Sequence, residues 1–220
     1  MERRLFHGSE SIVEKPVFGI GNLHNDYGLG FYCTTKEALA KEWGARKNGA
    51  GYVNVYSLRD DRFRILDLTK PPYDDVLHWV ALLMSNREIS QELRTNYPRE
   101  LKYLFDNYLL DVRQYDVVIG YRADDSYFRF PEAFVRSEIT FKSLQEIFKA
   151  GNLGRQYVLI SEKAFKNIKF LAYYPVEQKY RGDYYSRKSA ADKTFAELLR
   201  NDRYSSERRL IDLVRDHANQ

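Results

Sequence analysis

Apolar and polar positions alternate in several short segments of the chain, and this alternation predicts half-buried strands. The clearest case is GYVNVYSL at 51–58, and the continuous apolar run in YDVVIGY at 115–121 predicts a fully buried strand. The segment RDDR predicts a turn that makes 51–58 and 63–68 neighbours, and EKAFKN predicts a turn between the last two strands. The predicted strands are 3–6, 30–35, 51–58, 63–68, 115–121, 156–161 and 168–176.

Apolar residues three and four positions apart predict helices, two of which lie centrally. Thr35 is the predicted N-cap of the first helix, Pro71 and Pro72 open the second, and Gly151 closes the fourth. The predicted helices are 36–46, 71–89, 98–110, 141–151, and two more near 189–200 and 205–217.

The order of these elements predicts the fold class. Strands lie at both ends and do not alternate strictly with helices, so a doubly wound parallel sheet is not expected. We predict an α+β fold with a mostly antiparallel sheet and a central helical insertion. Beyond residue 177 the sequence becomes polar, so we predict a domain at 1–177 and a helical, mildly basic C-terminal extension at 178–220.

Composition narrows the class of protein. The chain has 18 Tyr and 13 Phe, an aromatic content typical of surfaces that contact a ligand or partner. It has no run of about 18 apolar residues and no signal-peptide core at its start, so we expect a cytoplasmic protein without a membrane span. Of the net charge of +4, the extension supplies most, with ten Lys/Arg and seven Asp/Glu. This charge suits either an acidic partner or a merely solvated tail.

Few residues suggest metal or nucleophilic chemistry. The four histidines, at 7, 24, 78 and 217, lack a zinc-binding spacing, and no metal site is expected. The single cysteine, Cys33, lies in a predicted strand and is interpreted as buried packing rather than a nucleophile. Phosphate-binding glycine loops and nucleophile-elbow motifs are also absent from the sequence.

Two short segments remain, LFHGS and GLGFY. Gly8 exposes its N–H and C=O, which a planar amide can pair with, and His7 can hydrogen-bond a hydroxyl. Gly28 and Gly30 leave the backbone bare before the aromatic pair that includes Tyr32. The alternatives are a strand-end turn for the first segment and a bulge with core aromatics for the second.

In this order, LFHGS, GLGFYCTT and a following helix resemble the first two motifs of the poly(ADP-ribose) polymerase-like ADP-ribosyltransferases. These enzymes hold NAD with a His-Tyr-Glu triad on split, mostly antiparallel sheets. The segment GRQYVLIS resembles their third motif, with Gln156 in the place of the glutamate.

The resemblance implies a role for each matching residue. His7 would bind the adenosine ribose of NAD, the backbone of Gly8 would pair with the nicotinamide carboxamide, and Tyr32 and Trp43 would sandwich the nicotinamide ring. Gln156 would accept a hydrogen bond from the ribose 2′-hydroxyl without supplying a charge. Ser9 and Gly30 belong to the same motifs and are assigned to cofactor binding, whereas Ala40 stands where the family has a carboxamide-binding serine.

Charged residues after the strand at 115–121 offer a substitute for the missing charge. Asp124 and Asp125 either face the site, with Asp125 as a catalytic candidate, or form a surface turn. Asp26 is interpreted as a turn former rather than a residue covering NAD. Contacts with pyrophosphate or target are considered for three further residues, Arg122, Tyr127 and Arg129.

More narrowly, the chain is similar to a bacterial family of unknown function, through motifs at 7–9, 22–32, 116–125 and 156–164. This resemblance implies a mono-ADP-ribosyltransferase that uses NAD as a substrate and modifies a protein or nucleic acid. It also implies a toxin or effector, with a small antitoxin protein as partner. An NAD glycohydrolase and a catalytically silent NAD- or ADP-ribose-binding module remain the alternatives.

Overall fold

The computed structural model describes residues 2–46, 49–123, 125–149 and 154–219. Seven strands lie in this part of the chain: β1 Glu2–Ser9, β2 Phe31–Cys33, β3 Tyr52–Arg59, β4 Ile65–Asp67, β5 Val117–Tyr121, β6 Arg155–Leu159 and β7 Ile168–Pro175. The α-helices of the same part are α1 Glu37–Gly44, α2 Val76–Asn86, α3 Gln91–Asn96, α4 Pro98–Tyr108, α5 Asp125–Val135, α6 Phe141–Lys149, α7 Glu162–Asn167, α8 Tyr180–Asp202 and α9 Leu210–Ala218.

The strands form two sheets, with orders β1-β3-β7 and β2-β6-β5-β4. All pairs are antiparallel except β4 with β5, which confirms the α+β class. One predicted neighbour pair is wrong, because β4 does not pair with β3 but lies in the other sheet. The turn predicted at EKAFKN is the short helix α7, and the strands on either side of it, β6 and β7, belong to different sheets. Alternation identifies which face of a strand is buried, but it carries no information about the partner strand.

The two sheets pack face to face through side chains that alternate along each strand. Leu5 on β1 and Tyr56 on β3 point between the sheets and meet Ile119 and Leu159 of the second sheet. The next residue along β1, Phe6, points to the opposite face, where α1 covers the first sheet. Helices α2, α4, α5 and α6 cover the outer face of the second sheet in the largest core cluster.

Several helix boundaries differ from the prediction. Thr35 is not an N-cap, because α1 begins one residue later and its N-cap, Lys36, makes no side-chain cap bond. Pro71 and Pro72 precede α2 without opening it, since Asp75 caps that helix by accepting from the N–H of Leu77. Helices α3, α5 and α7 were not predicted, and Gly151, the predicted end of α6, lies outside the described residues.

The last two helices pack against the rest of the chain. Helix α8 contacts α1 and α5, and α9 contacts α4. Asp202, at the end of α8, is buried and accepts hydrogen bonds from Thr140 N–H (2.7 Å) and the Ser143 hydroxyl (2.9 Å). No helix of the described residues combines the length and the apolar character that crossing a bilayer requires.

Candidate functional site

A cleft opens where the two sheets meet. Phe6 N–H donates to Thr34 O (2.8 Å) and Thr34 N–H donates to Phe6 O (2.9 Å), forming an isolated bridge between β1 and the end of β2. Past this bridge no ladder joins β1 to β2 in the described residues, and the strands part around a cavity of about 510 Å³. This volume lies within the range of about 300–1,000 Å³ that small-molecule sites occupy.

His7 lies at the mouth of the cleft with its tautomer fixed. Its Nδ1 is 2.7 Å from the carbonyl oxygen of Tyr32, which only accepts, so Nδ1 carries the hydrogen. Burial lowers the pKa of His7 and favours the neutral ring, although the Tyr32 carbonyl opposes this shift. The neutral ring therefore leaves Nε2 as an acceptor, to which a hydroxyl group can donate.

Gly8 also lines the cleft. Main-chain groups two residues apart along a strand point to the same side, so the N–H and C=O of Gly8 point as those of Phe6 do, away from β3. The close packing of α1 against β1 also requires glycine at position 8. A Cβ on Gly8 would lie 1.9 Å from Ala40 O and 2.8 Å from Gly44 N, so only glycine lets α1 lie this close.

Tyr32 presents a fixed ring rather than a reactive hydroxyl. Its hydroxyl donates to Gly28 O (2.7 Å) and accepts from Tyr27 N–H (3.0 Å), which ties it to the preceding loop. Burial raises the pKa of this phenol, so it stays protonated at neutral pH. The half-buried ring can support a flat ligand but is not suited to acid–base work.

The fold itself requires glycine at both positions before Tyr32, for a different reason at each. Gly28 adopts φ +73°, a left-handed conformation that glycine takes without strain. A Cβ on Gly30 would lie 2.6 Å from Val158 Cγ1 and 2.8 Å from Leu159 O. Gly30 lines the cleft, yet its lack of a side chain is required by its packing against β6, which the sequence did not indicate.

Trp43 of α1 lines the cleft, and the guanidinium groups of two arginines lie over its ring. The Arg122 guanidinium carbon lies 4.6 Å from the centre of its ring and that of Arg46 lies 4.9 Å away. Arg122 is itself buried, at 3% exposure. The ring of Trp43 is thus an orienting surface for arginines, a role that differs from the predicted sandwich with Tyr32.

Gln156 on β6 is half-buried and lines the cleft opposite Gly120 of β5. Its Oε1 is buried and has no hydrogen-bond partner among the described residues. A buried acceptor left without a partner costs about 1–3 kcal/mol. A ligand hydroxyl donated to this oxygen would remove that cost.

Asp26 is the acidic side chain that the described residues bring to the cleft. It does lie in a turn, which Gly28 N–H closes by donating to Asn25 O (3.0 Å), but its side chain is buried rather than exposed. It is 5% exposed, with Oδ1 accepting from Arg87 (2.9 Å) and Oδ2 from the N–H of Ala123 (2.8 Å). Burial raises its pKa to about 6, against the opposing effects of Arg87 and Arg122. A single carboxylate in a loop gave no pattern by which its burial could be found.

The remaining predicted residues lie elsewhere. The Ser9 hydroxyl donates to Ser11 O and accepts from Asn54, and Ser9 is not among the residues that line the cleft. Asp125 begins α5, but its side chain lies outside the described part of the structure, as does all of Asp124.

Two further residues considered for ligand contact do not reach the cleft. Tyr127 is buried in the helical core, stacked on Phe130 at 5.7 Å. Arg129 forms an ion pair with Asp192 of α8.

Arginine dominates the charge of the cleft. Among its described lining residues, the acidic side chain of Asp26 faces four arginines, Arg46, Arg87, Arg122 and Arg155. These arginines come from distant parts of the chain, and the sequence analysis considered only Arg122 for contact with a ligand. The described residues contain no group of three His, Cys, Asp or Glu side chains that could hold a metal ion.

The fold and cleft define an α+β protein with a cavity lined by arginine and aromatic side chains. Over residues 3–170 the chain matches the family model described as "Protein of unknown function (DUF3990)", and it belongs to that family. This confirms the expected membership of a family of unknown function. Comparisons with curated proteins and with solved structures returned no match. The matched region contains the whole cleft and excludes α8 and α9.

Proposed function

We propose that this protein is an NAD-dependent mono-ADP-ribosyltransferase that modifies a protein or nucleic acid. One observation carries the proposal. His7, Gly8, Tyr32, Trp43 and Gln156, spread over 150 positions of the chain, line a single cleft. They are the residues that the sequence motifs assign to NAD.

The chemistry of each wall suits one part of NAD. The N–H and C=O of Gly8 offer the donor and acceptor that a carboxamide pairs with, and the ring of Tyr32 supports the nicotinamide. Nε2 of His7 accepts a hydrogen bond from a ribose hydroxyl. The arginines of the cleft complement the two phosphates.

The reaction breaks the bond between the nicotinamide nitrogen and C1′ of the ribose. The bonding electron pair leaves with nicotinamide, positive charge develops on the ribose, and a nucleophilic oxygen or nitrogen of the acceptor forms a new bond to C1′ and loses its proton. Gln156 orients the ribose by accepting from the 2′-hydroxyl but adds no negative charge. The loss of one such electrostatic contribution costs about 2.7–4 kcal/mol of barrier. Slow transfer of single ADP-ribose units is therefore expected, without chain elongation.

The test uses NAD labelled in its adenylate group, incubated with the purified protein in cell lysate. Nicotinamide release and label on macromolecules are both measured. Tyr32→Ala and His7→Ala should abolish release, whereas the matched substitutions of exposed residues, Tyr204→Ala and His217→Ala, should not. Unchanged release in folded Tyr32→Ala and His7→Ala proteins would refute the proposal.

The same assay separates the alternatives. Release of nicotinamide without label on a macromolecule identifies a glycohydrolase. Binding of NAD without release identifies a silent module, and Gln156→Glu should then switch on NAD hydrolysis.

A toxin with a small neutralising protein partner is the biological role that the sequence motifs favour. Induction of the wild-type chain in bacteria without the partner should arrest growth, and induction of Tyr32→Ala should not. Normal growth with the wild-type protein, at expression levels equal to those of the variant, would count against this role.

A further inference from the structure

The long helix α8, which lies outside the family match, reaches the edge of the cleft. Its Tyr184 is buried, and the guanidinium carbon of Arg46 lies 5.4 Å from the Tyr184 ring centre. Arg46 also lies over Trp43, at 4.9 Å, and Arg122 lies over Trp43 at 4.6 Å. A continuous series of rings and guanidinium groups therefore runs from inside the cleft to α8.

A buried ion pair fixes α8 at this position. The Arg187 guanidinium donates from Nε (3.0 Å) and Nη2 (2.7 Å) to Oε2 of Glu42, the residue before Trp43. Both side chains are largely buried, at 14% and 11% exposure. Arg187 also lies 5.7 Å from the ring of Tyr184. Because both charges are desolvated, separating α8 from α1 would leave each of them without its partner.

We propose that Arg46 and Arg122, both held on Trp43, form the binding site for the diphosphate group of a dinucleotide, and that α8 positions Arg46 through Tyr184. This inference rests on the proposed function for the identity of the dinucleotide. It extends the phosphate site beyond the motifs to Arg46 and to Tyr184 of α8.

The other two arginines of the cleft are less suited to this role. Arg87 Nη1 donates to Asp26 (2.9 Å) and to Ala123 O (2.6 Å), and its guanidinium lies 4.5 Å from Phe128. Arg155 is exposed. Arg46 and Arg122 both lie over the ring of Trp43, so that two guanidinium groups stand on one ring at the cleft, and planar guanidinium groups suit the oxygens of phosphate.

The ring of Tyr184 should lower the entropy cost of ordering Arg46 when a ligand binds. Ordering an arginine side chain when a ligand binds costs rotamer entropy. A second ring beside Arg46 restricts that side chain before the ligand arrives, so less order remains to be imposed on binding. Tyr184 is thus a positioning residue, and the ring rather than its hydroxyl should carry the effect.

The experiment measures the affinities of ADP-ribose, inorganic pyrophosphate and adenosine by calorimetry for the full chain and three variants. Arg46→Gln should weaken ADP-ribose and pyrophosphate about tenfold to a hundredfold, the size of a lost charged hydrogen bond, and leave adenosine unchanged. Tyr184→Leu should weaken the same two ligands several-fold and raise KM for NAD with kcat held. Tyr184→Phe keeps the ring and should retain wild-type affinity.

Unchanged ADP-ribose affinity in Arg46→Gln would overturn the inference, as would equal losses for ADP-ribose and adenosine. If Tyr184→Leu fails to fold, Arg46→Gln and Tyr184→Phe still decide it, because their thermal unfolding serves as the folding control. Failure of the proposed function would be distinct. Suppose that the protein binds pyrophosphate and ADP-ribose in a way that depends on Arg46 but releases no nicotinamide. This result would support the diphosphate site and contradict the proposed transferase activity.

Discussion

Replacing Gly8 with alanine tests how the first strand and the first helix build the cleft. The added Cβ would lie 1.9 Å from Ala40 O, 2.8 Å from Gly44 N and 2.9 Å from Ala40 C, whereas ordinary van der Waals contact begins near 3.4 Å. All three atoms belong to the backbone of α1, so no side-chain rotation relieves the clash. The helix itself must move away from β1 and carry Trp43 with it.

The cost of this change can be bounded. Overpacking a well-packed interior costs typically about 1–3 kcal/mol and occasionally more. Since backbone atoms are involved, we expect the upper end, about 3 kcal/mol. For a chain of this size, each kcal/mol lowers Tm by about 2–4 °C, so Gly8→Ala should lower Tm by about 6–12 °C.

The measurement is thermal unfolding followed by circular dichroism, with Gly182→Ala as the matched control. Gly182 lies in α8, and a Cβ there would have no neighbour within 4 Å. Alanine in a helix interior is favoured over glycine by about 0.5–1 kcal/mol, so the control should be slightly more stable than the wild type. A Gly8→Ala protein that unfolds within about one degree of the wild type, well under the expected shift, would refute this account of the α1 packing.

Three further predictions concern buried polar groups and the thiol. Because the folded pKa of Asp26 is raised to about 6, the folded state binds a proton more tightly than the unfolded one, so stability is lost as pH rises from about 4 to 6. Across this pH range, the free energy of unfolding of Asp26→Asn, measured by urea titration, should rise by about 3 kcal/mol relative to that of the wild type. Parallel plots of the two free energies against pH would contradict this prediction. Cys33 is 3% exposed and burial raises its thiol pKa, so a thiol reagent should react at least about a hundredfold more slowly than in denaturant, and rapid native reaction would be inconsistent with this burial. Asp202→Ala should cost about 2–4 kcal/mol, because it removes the acceptor of Thr140 N–H and of the Ser143 hydroxyl, and an unchanged urea midpoint would disprove the buried network.

Local patterns predicted most strands and central helices but not how the strands associate. The run 63–68 alternates and does contain β4, yet it pairs in parallel with β5 through a contact with residues 117–119. Turn chemistry at RDDR predicted a hairpin because it records only local preference. Helix α5 was missed because the acidic residues at its start suggested a surface turn and because it contains Pro131, a residue that disfavours a helix interior.

The candidate cleft was predictable only where short motifs mark it. His7 and Tyr32 stand in such motifs, and the cleft contains both. Arg46 and Arg87 carry no local signal, because their significance comes from the ring or charge that lies beside each in space. Asp26 lies in the motif at 22–32, but nothing in that motif indicates its burial or its pairing with Arg87. Gly8 and Gly30 were noticed for the backbone that they offer to a ligand, and both line the cleft. The tight packing of α1 and β6 against them is a tertiary property that the sequence does not record.

The anchoring of α8 on Glu42 and beside Arg46 has a consequence for the order in which the chain is made. Both sheets and α1 precede α8 in the sequence, so they leave the ribosome first and can fold while α8 is still being synthesised. At that stage Trp43 and Arg122 are present, but the ring of Tyr184 and the charge of Arg187 are not. A chain that stops before residue 184 would therefore contain every motif residue and still lack the second ring beside Arg46. Completion of the cleft is thereby linked to translation through α8.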